Sequence, residues 1–400
     1  MTTKPATRKR AARATATPVP TLTVRELNRA TLARQMLLAR EKTSPLAVVE
    51  RLLGMQAQLP RPPFVGLWTR LVKVEREEVL RLLTDRAVVR ATLMRVTIHW
   101  MTAKDYVRFR PALQPALTSG LRSALGARMK ELDIEAHVRT ARAFFAKEPA
   151  TFSELRRVLA KPGTNLDEPA TPHERAMAYA VRTNLPLVQV PTDATWGFPG
   201  NPSFALASSW LGGRHAPKMD APLPLEEATR ELVRRYLAAF GPATVADAQA
   251  WSGHRGLAHV FEELRAELAV FRDEKGRELF DLPSAPRPAA DVDAPVRFLP
   301  EFDNVLLAHT DRTRVLGGVA KSKVFPPGAQ GVPSFIVDGM LAGHWRLDRV
   351  KAKATLVIDP FAKLAKSAER SLVEEAGRLV RFLGEDATSL DVRVANPSDR

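Results

Sequence analysis

A seven-residue pattern occurs twice in this chain and restricts its fold more than any bulk property does. Pro149-Ala-Thr-Phe-Ser-Glu-Leu155 and Pro242-Ala-Thr-Val-Ala-Asp-Ala248 open with the same three residues and place an acid three positions after the threonine. A hydroxyl residue and an acid at that spacing cap each other's backbone N–H groups at the start of a helix. Each copy follows an amphipathic stretch, 138–146 or 228–240, and precedes another predicted helix, which in the first copy opens with Thr171-Pro-His-Glu174. Each then ends in β-prone residues, 185–190 with 204–206 and 268–271 with 278–282. In the second copy Asp273-Glu-Lys-Gly276 supplies a hairpin turn between them. Helix, turn, helix, helix and a two-stranded wing is the order of a winged helix, and repetition at this scale reads as architecture.

Residues 22–105 fit the same order. Thr23-Val-Arg-Glu26 caps a helix running to about residue 40, and Ser44-Pro45 opens a second, with proline at its first position. That helix is expected to end near Met55. A third stretch spans 75–83, and the β-rich run 88–100 is long enough to fold into a hairpin. From about residue 290 strands predominate: 297–303, 315–319, 334–346 with the turn Asp338-Gly339, and 353–359. A last helix aligns Ala368, Leu372, Ala376, Leu379 and Leu383 on one stripe. The expected fold is α+β, with three tandem winged-helix units followed by a small β-rich C-terminal domain and a closing helix. Its boundaries are a disordered basic tail 1–21, units at 22–134, 135–225 and 226–289, and the C-terminal domain at 290–400.

Sixty Lys and Arg against 44 Asp and Glu give a net charge of +16, the balance expected of a nucleic-acid partner. Lys4, Arg8, Lys9, Arg10 and Arg13 carry five of these charges, so +11 belongs to the rest of the chain. The chain has no cysteine, which excludes disulfides, thiolate metal sites and cysteine nucleophiles. No run of 18 apolar residues suggests a membrane span, and no apolar core marks a signal peptide, so a cytoplasmic location is expected. The eight histidines form no close metal-ligand spacing, and no phosphate-binding glycine loop occurs. No metal and no organic cofactor are expected.

Several runs resemble the AlkZ-like family, which includes YcaQ-type enzymes and comprises winged-helix DNA glycosylases. They are Arg51-Leu-Leu-Gly-Met-Gln-Ala-Gln-Leu-Pro60 with Gly66-Leu-Trp68, Thr92-Leu-Met-Arg-Val-Thr-Ile-His99, Asp247-Ala-Gln-Ala-Trp-Ser-Gly253, and Leu299-Pro-Glu-Phe-Asp303 with Asp311-Arg-Thr-Arg314. They keep the family's order over residues 22 to about 350. The family signature, glutamine, an apolar residue, then glutamine or aspartate, stands here as Gln56-Ala57-Gln58. This glutamine form resembles the crosslink-unhooking branch more than the aspartate-bearing YcaQ-like branch. A departure is Val96, where the pattern has glycine; it suits a strand but removes backbone freedom.

The resemblance implies that Gln56 and Gln58 are catalytic. Residues two apart share a face of an extended segment, and Pro60 favours extended geometry just before it. The two amides are therefore expected to project together and hold one water. Glutamine is no general base at neutral pH, but an N7-alkylated purine is already cationic and leaves without protonation. Its oxocarbenium-like transition state asks for a positioned water and charge stabilisation. The expected function is monofunctional hydrolysis of the N-glycosidic bond of cationic alkylated bases, including interstrand crosslinks, by a monomer acting on double-stranded DNA. The rival readings are a non-catalytic winged-helix transcriptional regulator and a repair-associated DNA-binding protein without activity. Three units in one chain favour a clamp over a dimeric operator reader, whose half-sites come from two subunits.

Arg90, Arg95, Arg312 and Arg314 are the candidate DNA-phosphate contacts. His99 reads as a packed or hydrogen-bonded histidine of the first unit, and Trp68, Trp251 and Trp345 as core. Asp303 and Asp311 are a possible carboxylate pair, although aspartate at strand ends more often serves turns.

Overall fold

Thr23 caps the first helix as its spacing predicts. In a computed structural model of the chain, its side chain accepts from the Glu26 backbone N–H while Glu26 reaches back to the Thr23 N–H. The structure describes residues 19–160, 163–212, 223–326, 331–384 and 386–395. Of the expected disordered tail, residues 1–18 lie outside these. Residues 19–21 depart from the expectation: strand β1, Thr21–Leu22, pairs in parallel with Arg272 and Asp273, and Arg272 N–H donates to the Pro20 carbonyl at 2.9 Å. The edge of a distant hairpin supplies backbone partners that local composition does not reveal.

Helix α1 spans Val24–Arg34 and α2 Pro45–Arg51, followed by strand β2 at Met55–Gln56. Helices α3, Pro62–Trp68, and α4, Arg76–Thr84, lead into the antiparallel hairpin β3, Val88–Thr92, and β4, Ile98–Thr102. A 23-residue helix follows, α5, Ala103–Leu125, carrying Pro111 and Pro115 inside it. The sequence reading contained no helix here, and Pro111 and Pro115 are residues that ordinarily interrupt one.

Both repeated segments adopt the same local structure. Thr151 and Thr244 cap α7, Phe152–Leu159, and α11, Val245–Ser252, each through a capping box, after α6, Ile134–Phe145, and α10, Leu225–Phe240. The alanine before each cap forms an isolated antiparallel bridge, Ala150 to Phe204 and Ala243 to Phe280. These partners lie in β6, Phe204–Leu206, and β8, Glu278–Asp281, which pair with β5, Leu187–Gln189, and β7, Ala269–Asp273. Between these elements lie α8, Pro172–Asn184, α9, Ala207–Leu211, and α12, Ala258–Leu264.

The first two strand pairs are not separate wings. β3 also pairs with β5, giving one five-stranded sheet in the order β2-β4-β3-β5-β6. Its hydrophobic core is continuous with the third region: Val89 and Met101 pack with Phe109, Leu113, Tyr236, Phe240 and Trp251.

The C-terminal sheet runs β13-β12-β11-β10-β9, from β9, Arg297–Leu299, β10, Ser334–Val337, β11, Met340–Val350, β12, Lys353–Pro360, and β13, Ser389–Val394. Asp338 and Gly339 turn the β10–β11 hairpin with φ of 48° and 77°. Helix α15, Lys366–Leu383, buries Leu372, Ala376, Leu379 and Leu383 against this sheet, and Trp345 lies in the same core. The strand expected at 315–319 is absent. Asp311 accepts from Thr313 N–H at 3.0 Å and starts a helical turn, α13, Thr313–Leu316; a second short helix, α14, covers Lys321–Val324. No described helix is long and apolar enough to cross a membrane.

Candidate functional site

The Gln-x-Gln segment is delivered by an abrupt helix end. α2 stops at Arg51, four residues earlier than Met55, because Leu53 turns left-handed at φ 54°. Leu53 N–H then donates to Glu50 O at 3.0 Å and Gly54 N–H to Val49 O at 3.1 Å, closing a Schellman motif. Gly54 has φ 95°, and a β-carbon on it would stand 2.7 Å from the Trp100 carbonyl oxygen. Only glycine brings the chain this close to β4. Gln56 then pairs with His99 across the β2–β4 ladder, and Ala57 N–H donates to Ile98 O at 2.8 Å.

Gln56 is 7% exposed. Its Oε1 accepts from Arg95 Nη2 at 2.8 Å, and since a guanidinium has no acceptor, the amide NH2 must face the other way. It lines a cavity of about 10 Å³ together with Pro62, Pro300, Glu301 and Asn304. Gln58 is exposed and absent from that lining; its Oε1 accepts from Ile98 N–H at 3.3 Å. The structure therefore separates the two amides that sequence reasoning placed around one water. One is held inside and the other stands at the surface.

Arg95 organises the inner amide. Its Nη1 donates to Trp251 O at 2.6 Å, while Nη2 serves Gln56 and lies 3.2 Å from His99 Nε2. His99 Nδ1 is 3.0 Å from Thr97 O, which leaves Nε2 as the acceptor for the guanidinium. Burial lowers Arg95 to about 10, with the charge of nearby Arg312 adding to the effect, so it stays cationic at neutral pH. Burial, reinforced by Arg95, lowers His99 to about 3. The turn bearing Arg95 puts two successive non-glycine residues in the left-handed region, Arg95 at φ 54° and Val96 at φ 59°. Val96 is thus a turn residue and not the strand residue its type suggests. Such conformations cost about 1–3 kcal/mol each and persist where the surroundings enforce them.

The downstream motifs converge on this turn. Gly253 ends α11 in the left-handed region, and a β-carbon there would approach Arg95 N at 3.2 Å. Asp247, besides capping α11, accepts from Thr310 N–H at 2.8 Å. The 299–304 segment is clamped from two sides: Asn304 Nδ2 donates to Gly54 O at 2.7 Å, and Asp303 receives both Arg70 nitrogens at 2.8 Å. Arg61 Nη2 donates to Glu301 Oε1 at 2.9 Å.

The other candidates divide. Arg90 is buried and holds the motif's backbone from beneath, donating to Ala57 O at 2.9 and 3.0 Å, to Gln58 O at 3.2 Å and to the Gln189 side chain. Arg314 is buried too, with Nη1 on Pro242 O at 3.0 Å. Both are buried and donate to backbone carbonyls, so neither is placed to meet phosphate. Arg312 is half-buried, 5.1 Å from the centre of the Phe325 ring. Asp303 and Asp311 are not a catalytic pair: Asp303 belongs to Arg70, and Asp311 to Lys275, Arg277 and the α13 turn. Trp251 and Trp345 are core, and Trp68 is partly buried beneath Arg40. Sequence reasoning gave Glu301 no role, although it stands inside the family-like run Leu299-Pro-Glu-Phe-Asp303, because that run reads as a strand.

His99 and His309 predict an acid-labile fold. Unfolded histidine titrates near 6.5, whereas burial lowers both residues to about 3 here. Above pH 6.5 both states are neutral; below it only the unfolded chain takes up the proton, so stability falls as pH drops from 6.5 towards 3. Urea midpoints between pH 7.5 and 4.5 are expected to follow this slope. His99→Gln, which keeps an acceptor for Arg95, should flatten it without removing it, because His309 remains. An unchanged slope in that variant would mean that His99 is protonated in the folded protein.

Comparison with known proteins gives one consistent family. The model described as DNA glycosylase AlkZ-like matches residues 49–382. A Streptomyces sahachiroi protein named interstrand DNA cross-link repair glycosylase is 25% identical over 378 residues, covering 91% of this chain and 96% of its own. The structure of Streptomyces sahachiroi DNA glycosylase AlkZ superposes with a TM-score of 0.72 at 22% identity, over 94% of this chain and 100% of that one. At that identity the likeness establishes the mixed α+β fold.

Proposed function

This chain belongs to the AlkZ-like family of DNA glycosylases, and from that membership we propose that it hydrolyses the N-glycosidic bond of cationic alkylated bases in duplex DNA. The substrates are N7-alkylpurines, including those joined in interstrand crosslinks. The observation that carries this reading is the Gln56 amide, buried in a small cavity and oriented by Arg95 so that its NH2 points away from the guanidinium. Such a group holds a water and stabilises developing charge, without acting as a base itself. A leaving group that is already cationic needs no acid. Among the residues lining the cavity none is a lysine, which supports attack by water over attack by an amine and hence monofunctional chemistry.

Three winged-helix units, at 22–134, 135–225 and 226–289, the first two sharing one five-stranded sheet, followed by the 290–400 domain, would cradle DNA as a monomer in the cytoplasm. The matched caps and bridges of the two Pro-Ala-Thr segments support that arrangement. Gln58, exposed beside the cavity loop, contacts the DNA strand, and Arg312 meets phosphate. Arg95 acts as a positioning residue. A purely regulatory role gives the buried amide and its orienting arginine no chemical task. The test is incubation of purified protein with duplexes carrying N7-methylguanine or an N7-linked crosslink, followed by cleavage at abasic sites. Absence of cleavage in both overturns the reading.

DNA binding is expected to be electrostatic and carried by the body of the protein. Removing residues 1–18 takes away five positive charges and leaves +11. Affinity should weaken but survive, and log Kd should still rise linearly with log salt, with a smaller slope. Loss of all affinity at low salt would place the binding surface in the removed segment.

A further inference from the structure

We infer that Glu301 is the general base of the glycosylase reaction, taking a proton from the water held by Gln56; this rests on the function proposed above. Glu301 is 6% exposed and lines the same cavity as Gln56. One of its oxygens is engaged: Oε1 accepts from Arg61 at 2.9 Å. The other, Oε2, is buried with no hydrogen-bond partner among the described residues. A buried carboxylate oxygen left without a donor costs stability, and folded proteins retain such atoms chiefly where a water, an ion or a reacting group completes them. The cavity, about 10 Å³, has room for roughly one water.

The two side chains are complementary. Arg95 occupies the Gln56 oxygen, so the amide presents donors to the cavity, and a carboxylate presents only acceptors. A water between them accepts from Gln56 and donates to Glu301 Oε2. Glutamine cannot remove that water's proton, and a carboxylate can. The segment is built to hold Glu301 in place: Asp303 is anchored by Arg70, Asn304 by the Gly54 carbonyl, and Phe302 is fixed in the left-handed region at φ 61°. In the step, the bond from C1′ to the base nitrogen breaks and its electron pair neutralises the cationic base. The water oxygen bonds to C1′, and its proton passes to Glu301 and then to solvent.

The experiment compares wild type, Glu301→Gln and Glu301→Asp in single-turnover excision of N7-methylguanine from a duplex between pH 5 and 9, with DNA affinity and thermal melting recorded for each. Glu301→Gln is expected to lose about 10²–10⁴-fold in rate at neutral pH with affinity retained. Glu301→Asp keeps a carboxylate and should recover part of the activity, at a rate between the two. A Glu301→Gln protein with wild-type rate and pH profile overturns the inference and leaves the glycosylase reading standing. Equal losses in both variants make Glu301 structural and also overturn it. Wild type inactive on methylated and crosslinked duplexes overturns the glycosylase reading and this role with it.

Discussion

Gln56→Ala is expected to cut excision of a cationic alkylated base by at least about 10²-fold, with DNA affinity close to wild type. The amide touches protein through one hydrogen bond, from Arg95, and otherwise faces the cavity. Removing it takes a positioned contact away from the transition state and little from ground-state binding. Some stability is lost as well, because Arg95 Nη2 forfeits an acceptor in a half-buried site; about 1–3 kcal/mol is the usual cost. Melting curves and filter binding separate these effects from the rate. Gln58→Ala should have a smaller effect, and Gln58→Asp should retain activity on simple alkylated bases. Since Gln58 lies outside the cavity, the double variant is expected to lose about the product of the two single losses. A double variant no slower than Gln56→Ala would instead mean that one water serves both amides. Wild-type excision by Gln56→Ala would make the glutamine structural.

What the sequence made legible was local, and what it hid was pairing at a distance. Thr23, Ser44, Thr151, Thr171 and Thr244 each cap the helix that its spacing foretells, because a side-chain cap is decided within four residues. Asp338-Gly339 turns its hairpin for the same reason. No local pattern tells that β3 pairs with β5 across nearly a hundred residues, or that Thr21 joins a strand 250 residues on. Net charge predicted a basic protein without telling which arginines face solvent, and Arg90 and Arg314 turned out to hold backbone carbonyls. At the site, Gln56 was legible from its motif. Its orientation comes from Arg95, which a strained turn aims at it, and Glu301 reaches the cavity from the other end of the chain.

Breaking the Arg70–Asp303 pair is expected to have the largest effect on stability of any single charge removal near the site. Arg70 is fully buried and Asp303 nearly so, with both guanidinium nitrogens 2.8 Å from the carboxylate oxygens. Arg70 also serves Gly66 O at 2.9 Å and Gln35 O at 3.0 Å. Such a pair adds little net stability over an apolar replacement, but losing one member strands a buried charge, at about 3–5 kcal/mol. Asp303→Ala should therefore lower the unfolding free energy by that amount, seen as a lower urea midpoint with the slope of the transition unchanged. Arg70→Met should cost at least as much, because the Gly66 and Gln35 carbonyls lose their donor too. The double variant Arg70→Met with Asp303→Ala should lose clearly less than the sum of the single losses, the mark of a coupled pair. A loss below about 1 kcal/mol in Asp303→Ala would mean that the pair is solvated and interacts like a surface one. Asp303 sits two residues from Glu301 and one from Asn304, so the same substitution releases the segment carrying the proposed base. Excision by Asp303→Ala should accordingly fall further than its unfolded fraction explains, at a temperature where melting shows the protein folded.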